Sequence, residues 1–152
     1  RSSAASDVYK RQVLDLAGFF EDIYKKQVEE LEQLGIAHFY GFQSDPRPFY
    51  AEADCVVLPS YHEGMSNVLL EAAATGRPVI TSNIPGCRES VENGKSGLLV
   101  EVKNKEMLYQ AMKKMLHCSR EEREKMGKAG REKMKREFRK EAVVERTVRS
   151  LE

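Results

Sequence analysis

The chain has 152 residues, of which 41% are hydrophobic and 32% are charged. This length corresponds to one domain of ordinary size with a single core. The net charge of +1 lacks the basic excess of general nucleic-acid binders, so we expect no nucleic-acid partner. No apolar run approaches the roughly 18 residues that a membrane-spanning helix needs. The three cysteines are far apart and form no C-x-x-C pair, which predicts reduced thiols in a cytoplasmic protein and no zinc site.

Short apolar runs alternate with amphipathic segments along most of the chain. Residues 1–12 are polar and without period, which predicts a disordered or non-native tail before one domain at residues 13–152. The pattern predicts strands at residues 13–17, 36–40, 55–58, 78–81 and 97–100. It predicts helices at residues 20–34, 46–53 and 66–75, and a short helix at residues 88–92.

This alternation is typical of a particular fold class. Strands that alternate with helices form right-handed crossovers, so we predict an α/β fold with a doubly wound, Rossmann-like parallel sheet and C-terminal helices. In such sheets ligands bind beyond the carboxyl ends of the strands. The loops that follow Leu58 and Thr81 are therefore the candidate site.

The last third of the chain is predicted to be helical. One helix carries an apolar face that we interpret as core, formed by Met107, Leu108, Ala111, Met112, Met115 and Leu116. Residues 120–141 are dense in charge, which indicates a solvated helical face with i,i+4 ion pairs. The alternative is a basic surface in peripheral contact with an anionic membrane. The final apolar positions predict a helix that docks on an apolar surface: Phe138, Val143, Val144, Val148 and Leu151.

Glu71 is the first candidate site residue. Its neighbours at residues 68–70 and 72–74 are all apolar, which predicts a helix that is buried nearly all round. A buried carboxylate needs a partner. That partner is either an arginine such as Arg77 or Arg88, or a ligand with two adjacent hydroxyls, such as a ribose. The third possibility is that Glu71 is not buried and lies on the one edge of the helix that faces solvent.

The residues before this helix form the second candidate feature. Gly64, Met65, Ser66 and Asn67 lead from a loop directly into the helix, where free N–H groups and the positive end of the helix dipole favour a phosphate. Plain helix capping is the alternative. A phosphate at the helix end and a diol one or two turns away together describe a nucleotide.

Two further loop residues are candidates for chemistry. Glu63 precedes Glu71 by eight positions and lies where a group beyond the phosphate is within reach. His62 is an acid–base candidate because imidazole titrates near neutral pH, although a structural role is the alternative. Gly94-Lys95-Ser96 is not a P-loop, since Glu89 stands where that motif has Gly. No acidic or histidine cluster has metal-ligand spacing, so we expect no metal.

The whole pattern resembles a known family. It runs from Glu63-Gly64 to Glu71 and on through Ala72, Ala74, Gly76 and Pro78-Val79-Ile80, then Pro85-Gly86 with Glu89, Asn93-Gly94 and Gly97-Leu98-Leu99-Val100. This resembles the C-terminal, donor-binding half of retaining GT-B glycosyltransferases of the large bacterial polysaccharide-biosynthesis type (family 4, group 1). Its signature of two Glu separated by seven residues is matched by Glu63 and Glu71. The resemblance covers residues 13–152.

The resemblance implies a role for each matching position. Glu71 binds the ribose hydroxyls of a nucleotide-diphosphate sugar, for which a UDP-sugar is the commoner family choice. Residues 64–67 meet the diphosphate or the sugar through backbone amides, and Glu63 contacts the sugar near the reaction centre. Tyr40 and Gly41 lie near the base. The family needs neither a metal nor a cofactor.

The resemblance also implies that important parts are missing. The family clamps the diphosphate with an Arg and a Lys from a strand–loop–helix that we do not find here, and its N-terminal half holds the acceptor. We therefore expect a fragment of a longer enzyme that transfers a hexosyl group to a glycan or lipid-linked acceptor at the cytoplasmic membrane face. The fragment alone is expected to be inactive. A sugar-nucleotide epimerase of the same fold and a non-catalytic nucleotide-sugar binding module are the alternatives.

Overall fold

A computed structural model describes residues 13–19 and 21–149. The chain divides into two compact units, Arg1–Pro46 and Arg47–Glu152. Each unit contains its own parallel sheet. The tail predicted for residues 1–12 lies outside the described residues.

The first unit is a parallel strand pair with one helix. Strand β1, Leu14–Ala17, pairs with β2, Ala37–Gly41. Between them a 3-10 turn, Asp22–Tyr24, leads into α1, Lys25–Gln33. Gly35 follows with a φ of 68°, a left-handed conformation that suits glycine and ends the helix. The predicted strands and helix are confirmed, except that the first helical turn is of the tighter 3-10 type.

The apolar face predicted for α1 is only partly buried within its unit. Val28 and Leu31 are half-buried. Ile23 and Leu34 are 72% and 71% exposed. A sheet of two strands offers a narrow surface, so it covers the middle of the helix and leaves the residues at both ends in solvent.

The second unit contains a three-stranded parallel sheet. Its strands are β3, Val56–Leu58, β4, Val79–Ser82, and β5, Gly97–Val100, in the order β3-β4-β5. The apolar run at residues 55–58 is in contact on both faces, because Val56 and Leu58 pack against one apolar cluster and Val57 packs against another. Every residue of β4 is buried at the centre, whereas β3 lies at the edge and is half-buried.

Helices cover both faces of this sheet. They are α2, Arg47–Glu52, α3, Asn67–Ala74, α4, Lys105–His117, and α5, Arg120–Glu137. The last helix, α6, Lys140–Arg149, packs against α5. Val79 of β4 packs in one cluster with Tyr50 of α2 and Leu69 of α3. Its neighbour Ile80 packs in a second cluster that contains Met115 of α4. Because successive strand residues point to opposite faces, the two clusters lie on opposite sides of the sheet, and the predicted Rossmann-like α/β arrangement is confirmed.

The backbone of α5 is in direct contact with the backbone that follows α3. A Cβ atom on Gly127 would lie 1.8 Å from the carbonyl oxygen of Gly76, so only glycine fits there. Three residues further along α5, a Cβ atom on Gly130 would meet the Cβ atoms of Ala73 and Ser96 at an ordinary 3.6 Å. The contact between these two segments therefore depends on Gly127 more than on Gly130.

The apolar face predicted for α4 is confirmed at its centre. Four of its six positions pack in the second cluster: Leu108, Ala111, Met112 and Met115. Met107 and Leu116 are instead 39% and 49% exposed. On α6, Val143, Val144 and Val148 are 42%, 53% and 51% exposed, so the surface predicted to cover them is not found among the described residues.

The charges of α5 are organised as ion pairs. Two of these pairs join residues one helical turn apart: Arg120 lies 2.7 Å from Glu124, and Lys133 pairs with Glu137. Arg136 reaches Glu92 outside the helix at 2.9 Å. These pairs favour the solvated-face interpretation of this segment. In the described part of the chain, no helix has both the length and the apolar character required to cross a membrane.

Candidate functional site

Two loops meet at the carboxyl ends of β3 and β4. Leu58 lies opposite Thr81 in the parallel ladder, and the Thr81 hydroxyl donates a hydrogen bond of 2.8 Å to the Leu58 carbonyl. The two strands therefore end at one level. Beyond them, the Ser66 N–H donates to the Gly86 carbonyl at 3.1 Å. The two loops that the sequence selected as the candidate site, after Leu58 and after Thr81, therefore lie side by side.

The second loop is fixed by its glycine. Gly86 has a φ of +85°, and a Cβ atom there would lie 1.7 Å from the Gly64 oxygen and 2.6 Å from the Glu63 oxygen. The Gly86 N–H donates to Oε2 of Glu89 at 2.8 Å. Glu89 was part of the sequence motif without a stated role, and the structure assigns it this one: it holds the Gly86 turn against the Gly64 turn.

The N-terminus of α3 is open to a ligand. Gly64, Met65 and Asn67 are exposed, whereas Ser66 is only 3% exposed. The Ser66 side chain makes no capping hydrogen bond, although the Ser119 side chain at the start of α5 accepts one from Glu122 N–H. The first N–H groups of α3 consequently keep their capacity to donate to an anion.

Glu71 lies on the outer face of α3 and is exposed. The prediction that it is buried was wrong. Only Leu69, Ala72 and Ala73 of this helix are buried, because their spacing of three and four residues directs one stripe towards the sheet. Glu71 follows Asn67 by four residues and therefore stands one turn above it on the same face.

The arginines proposed as structural partners of Glu71 bind elsewhere. Arg77 donates from Nη2 to the Ala51 carbonyl, and Arg88 lies 3.6 Å from Glu89. The Glu71 carboxylate instead accepts a hydrogen bond at Oε2 from the Tyr50 hydroxyl, at 3.2 Å. Of the three possibilities raised by the sequence, the solvated edge is the position found, and it leaves the carboxylate accessible.

Tyr50 is the site residue that sequence reasoning missed. It is 5% exposed and its ring belongs to the apolar cluster beneath α3. Burial, together with the charge of Glu71 and the hydrogen bond to it, raises the pKa of Tyr50 to about 12. The phenol therefore stays protonated and remains a donor over the physiological pH range. The sequence signal that could have identified Tyr50 is its position as an aromatic residue on a short helix before a strand.

Glu63 is half-buried in the first loop. Its Oε1 accepts a hydrogen bond of 2.9 Å from the Ser60 hydroxyl, a second residue that the sequence did not single out. The same hydroxyl lies 3.2 Å from the His62 carbonyl. His62 is exposed, and this contact uses its backbone rather than its imidazole. The loop geometry thus orients Glu63, whereas it gives His62 no comparable side-chain support among the described contacts.

Cys87 lies directly beneath these loops with no exposed surface. Burial raises the pKa of its thiol, the charges of Glu63 and Glu89 raise it further, and a hydrogen bond with Thr81 opposes them. The thiol therefore stays protonated at neutral pH, and we interpret Cys87 as a packing residue rather than a nucleophile.

Tyr40 and Gly41 belong to the first unit. They end β2, where Gly41 has a φ of 66° and Tyr40 is 46% exposed. Next to them the rings of Phe19 and Phe42 stack with centroids 5.3 Å apart. Aromatic faces of this kind suit a planar ligand. The assignment of Tyr40 and Gly41 to a base remains a prediction.

The second unit combines two kinds of binding group. The α3 N-terminus offers N–H donors to a phosphate, and the Glu71 carboxylate offers acceptors to hydroxyls. Both belong to one helix, so their separation is fixed. Among the described residues, no group of three or more His, Cys, Asp or Glu side chains is arranged to hold a metal ion.

Comparison with known proteins identifies the family. Residues 3–133 match the family described as glycosyl transferases group 1. The chain belongs to this family. The matched range includes residues 3–12, which the sequence analysis placed outside the domain.

Relatives of this glycosyltransferase chain support the same assignment. It is 31% identical over 124 residues to the lipopolysaccharide core biosynthesis glycosyltransferase LpsE of Rhizobium meliloti, which covers 82% of the chain and 36% of LpsE. Sucrose-phosphate synthase from Thermosynechococcus elongatus superposes with a TM-score of 0.77 at 28% identity, covering 97% of this chain and 40% of that one. HepE of Anabaena, crystallised with UDP, shares the fold with a TM-score of 0.74 at 21% identity, over 95% of this chain and 43% of HepE. The glycosyltransferase chain thus spans less than half the length of these proteins.

Proposed function

We propose that this chain supplies the donor site of an enzyme that transfers a hexosyl group from a nucleotide-diphosphate sugar. One observation carries the proposal: the exposed Glu71 carboxylate and the uncapped N-terminus of α3 lie on one helix, one turn apart. A carboxylate can accept hydrogen bonds from two adjacent hydroxyls, and the N–H groups at a helix N-terminus can donate to a phosphate. The family match favours a transferase over the epimerase and over a binding module.

The donor is proposed to be a UDP-sugar. HepE, which has the same fold, is described in complex with UDP and with UDP-glucose. In this proposal the diphosphate lies at residues 64–67 and its ribose hydroxyls bind Glu71. Glu63 contacts the sugar, with His62 beside it as the second candidate for chemistry.

The proposed reaction needs stabilisation of a leaving group. The bond from the anomeric carbon to the diphosphate oxygen breaks, and the hydroxyl oxygen of the acceptor bonds to that carbon while its proton passes to the departing diphosphate. Negative charge develops on the diphosphate, and the N–H groups and dipole at the α3 N-terminus stabilise it. No metal or cofactor is part of the proposal.

The acceptor is proposed to bind a part of the enzyme other than this chain. The chain covers 36% of LpsE and 40% of sucrose-phosphate synthase, so more than half of each relative lies outside the match. A glycan or lipid-linked acceptor, a cytoplasmic location and peripheral contact with the inner membrane face are proposed from the resemblance. The ion-paired surface of α5 gives the membrane contact no support of its own.

The test is a titration of the 15N-labelled chain with UDP, followed by NMR up to millimolar concentration. We expect shifts at residues 64–67 and a loss of about 1–3 kcal/mol of binding free energy in Glu71→Ala. Glu121→Ala is the matched control, because Glu121 is an exposed glutamate in the first turn of α5. Absence of shifts at these residues, or equal binding by both variants, would contradict the proposed donor site.

A further inference from the structure

The side chain of Tyr50 is held in place from two directions. Its ring packs in the cluster that contains Leu69 and Val79, and only 5% of the residue is exposed. The next residue, Ala51, accepts a hydrogen bond at its carbonyl from Arg77, which follows α3. Helix α2 is thereby tied to the segment that follows α3 at the residue next to Tyr50. From this position the hydroxyl of Tyr50 donates to Oε2 of Glu71 at 3.2 Å.

Glu71, by contrast, is an exposed residue on a helix surface. Among the described residues, Tyr50 is the one side chain that hydrogen-bonds its carboxylate, and the bond uses Oε2. An unsupported glutamate samples several rotamers, and fixing one of them costs conformational entropy when a ligand binds. Because the Tyr50 ring is anchored in the core, its hydrogen bond restricts the rotamers of Glu71 before the ligand binds. Part of this entropy cost is then met during folding rather than during binding. Oε1 and the second lone pair of Oε2 stay available to two hydroxyls.

We infer that Tyr50 is a positioning residue that presents the Glu71 carboxylate to the vicinal diol of the donor's nucleoside. This inference rests on the proposed function, since it concerns the same carboxylate. Tyr50 does not touch the ligand; it acts through Glu71. The raised pKa of the phenol supports this role because the hydroxyl keeps its proton at every pH at which the enzyme would work.

The experiment measures UDP binding by the chain and by Tyr50→Phe, which keeps the ring and removes only the hydroxyl. We expect binding to weaken about three- to tenfold, as is usual for the loss of one hydrogen bond. Tyr109→Phe is the matched control, because Tyr109 lies on α4 and is 56% exposed. It should bind UDP like the unchanged chain. Circular dichroism and thermal unfolding verify that all variants fold.

Two comparisons separate positioning from a general structural effect. In the Glu71→Ala background, Tyr50→Phe should cause no further loss, because the group it orients is gone. With 2′-deoxyuridine diphosphate, which lacks one hydroxyl of the diol, the loss caused by Tyr50→Phe should shrink towards none. A structural defect would instead weaken both ligands equally in both backgrounds.

The outcomes distinguish this inference from the proposed function. Equal UDP affinity in the unchanged chain and in Glu71→Ala overturns the donor site and the inference with it. A loss in Glu71→Ala with unchanged binding in Tyr50→Phe leaves the donor site standing and overturns the inference. The inference is also overturned if Tyr50→Phe weakens UDP binding by the same factor in the Glu71→Ala background.

Discussion

The backbones of Gly86 and Gly64 touch: a Cβ atom on Gly86 would lie 1.7 Å from the Gly64 carbonyl oxygen. This contact joins the loop after β4 to the loop that leads into α3. The N–H of Ser66 and the carboxylate of Glu89 each hold the Gly86 turn by one hydrogen bond. The position of the α3 N-terminus therefore depends on Gly86, which lies twenty positions after Ser66 in the sequence.

Gly86→Ala is predicted to disrupt both the fold and the site. The new methyl group collides with the Gly64 backbone, and the positive φ adds strain of about 1–3 kcal/mol. Gly94→Ala is the control, because Gly94 also has a positive φ, of 78°, but no atom within 4 Å of the new Cβ. Urea unfolding should show a larger loss of stability for Gly86→Ala than for Gly94→Ala, and UDP titration should show weaker binding for the former alone. Equal stability losses would refute the steric part of this argument.

The glycines of α5 allow a matched pair of substitutions. Gly127→Ala places a methyl group 1.8 Å from the Gly76 oxygen, so α5 has to move away from α3. We expect a loss of more than about 2 kcal/mol in the free energy of unfolding. Gly130→Ala has room at 3.6 Å and gains helix propensity, so it should be neutral or stabilising by up to about 1 kcal/mol. A Gly127→Ala variant as stable as Gly130→Ala would show that α5 does not rest on Gly76.

Glu63→Ala, made in an active enzyme that contains this chain, should affect the rate more than binding. The carboxylate is proposed to contact the sugar near the reaction centre, so kcat falls by a larger factor than KM for the donor rises. Ser60→Ala removes the hydroxyl that orients Glu63 and should give a smaller defect of the same kind. His62→Ala serves as the neighbouring comparison. A change confined to KM would reassign Glu63 to ground-state binding.

The isolated chain is predicted to bind UDP without transferring sugar. It covers 36% of LpsE, and the proposed acceptor site lies outside that share. Release of UDP from a UDP-sugar, with and without added glycan acceptors, is the measurement. Turnover above the buffer blank by the purified chain would disprove this prediction.

Stability should fall at alkaline pH through two identifiable groups. Burial raises the pKa of Tyr50 and of Cys55 to about 12 each, from ordinary values of roughly 10 and 8.5. The folded state therefore holds these protons more tightly than the unfolded state. Their contribution to the free energy of unfolding is complete at a pH below the ordinary pKa values and is lost as the pH rises towards 12.

Urea unfolding at a series of pH values tests this assignment. Cys55→Ala should flatten the decline from about pH 8.5 upward, and Tyr50→Phe should flatten it from about pH 10. Tyr109→Phe should leave the slope as it is in the unchanged chain. Identical slopes in all three variants would assign the alkaline decline to other groups.

The sequence predicted the elements well because their signals are local. The apolar run ending at Leu58 and the one ending at Thr81 identified two parallel strands, and parallel strands place their carboxyl ends together. The burial of Glu71 was predicted wrongly, because apolar neighbours at Val68 and Ala74 were taken as core although both are exposed. In an α-helix only positions three and four apart share a face, so composition alone overestimates burial.

Tyr50 and Ser60 escaped the sequence analysis for a different reason. Their roles arise from contacts across the fold or within one loop turn: Tyr50 meets Glu71 from twenty-one positions away, and Ser60 meets Glu63 across three. No periodic pattern encodes such pairs. The family resemblance identified the two glutamates, but the residues that orient them become visible only when the helices and loops are packed.

The geometry of α3 has a final consequence for selectivity. Asn67 and Glu71 are four residues apart on one helix, which sets them about 6 Å apart along its axis. Because the helix is rigid, this distance is fixed, unlike a distance between residues on two independent loops. Inserting one residue between them would rotate the carboxylate by about 100° and take it out of line. If the donor binds as proposed, compounds whose phosphate and hydroxyl groups are spaced differently should bind this helix more weakly than UDP.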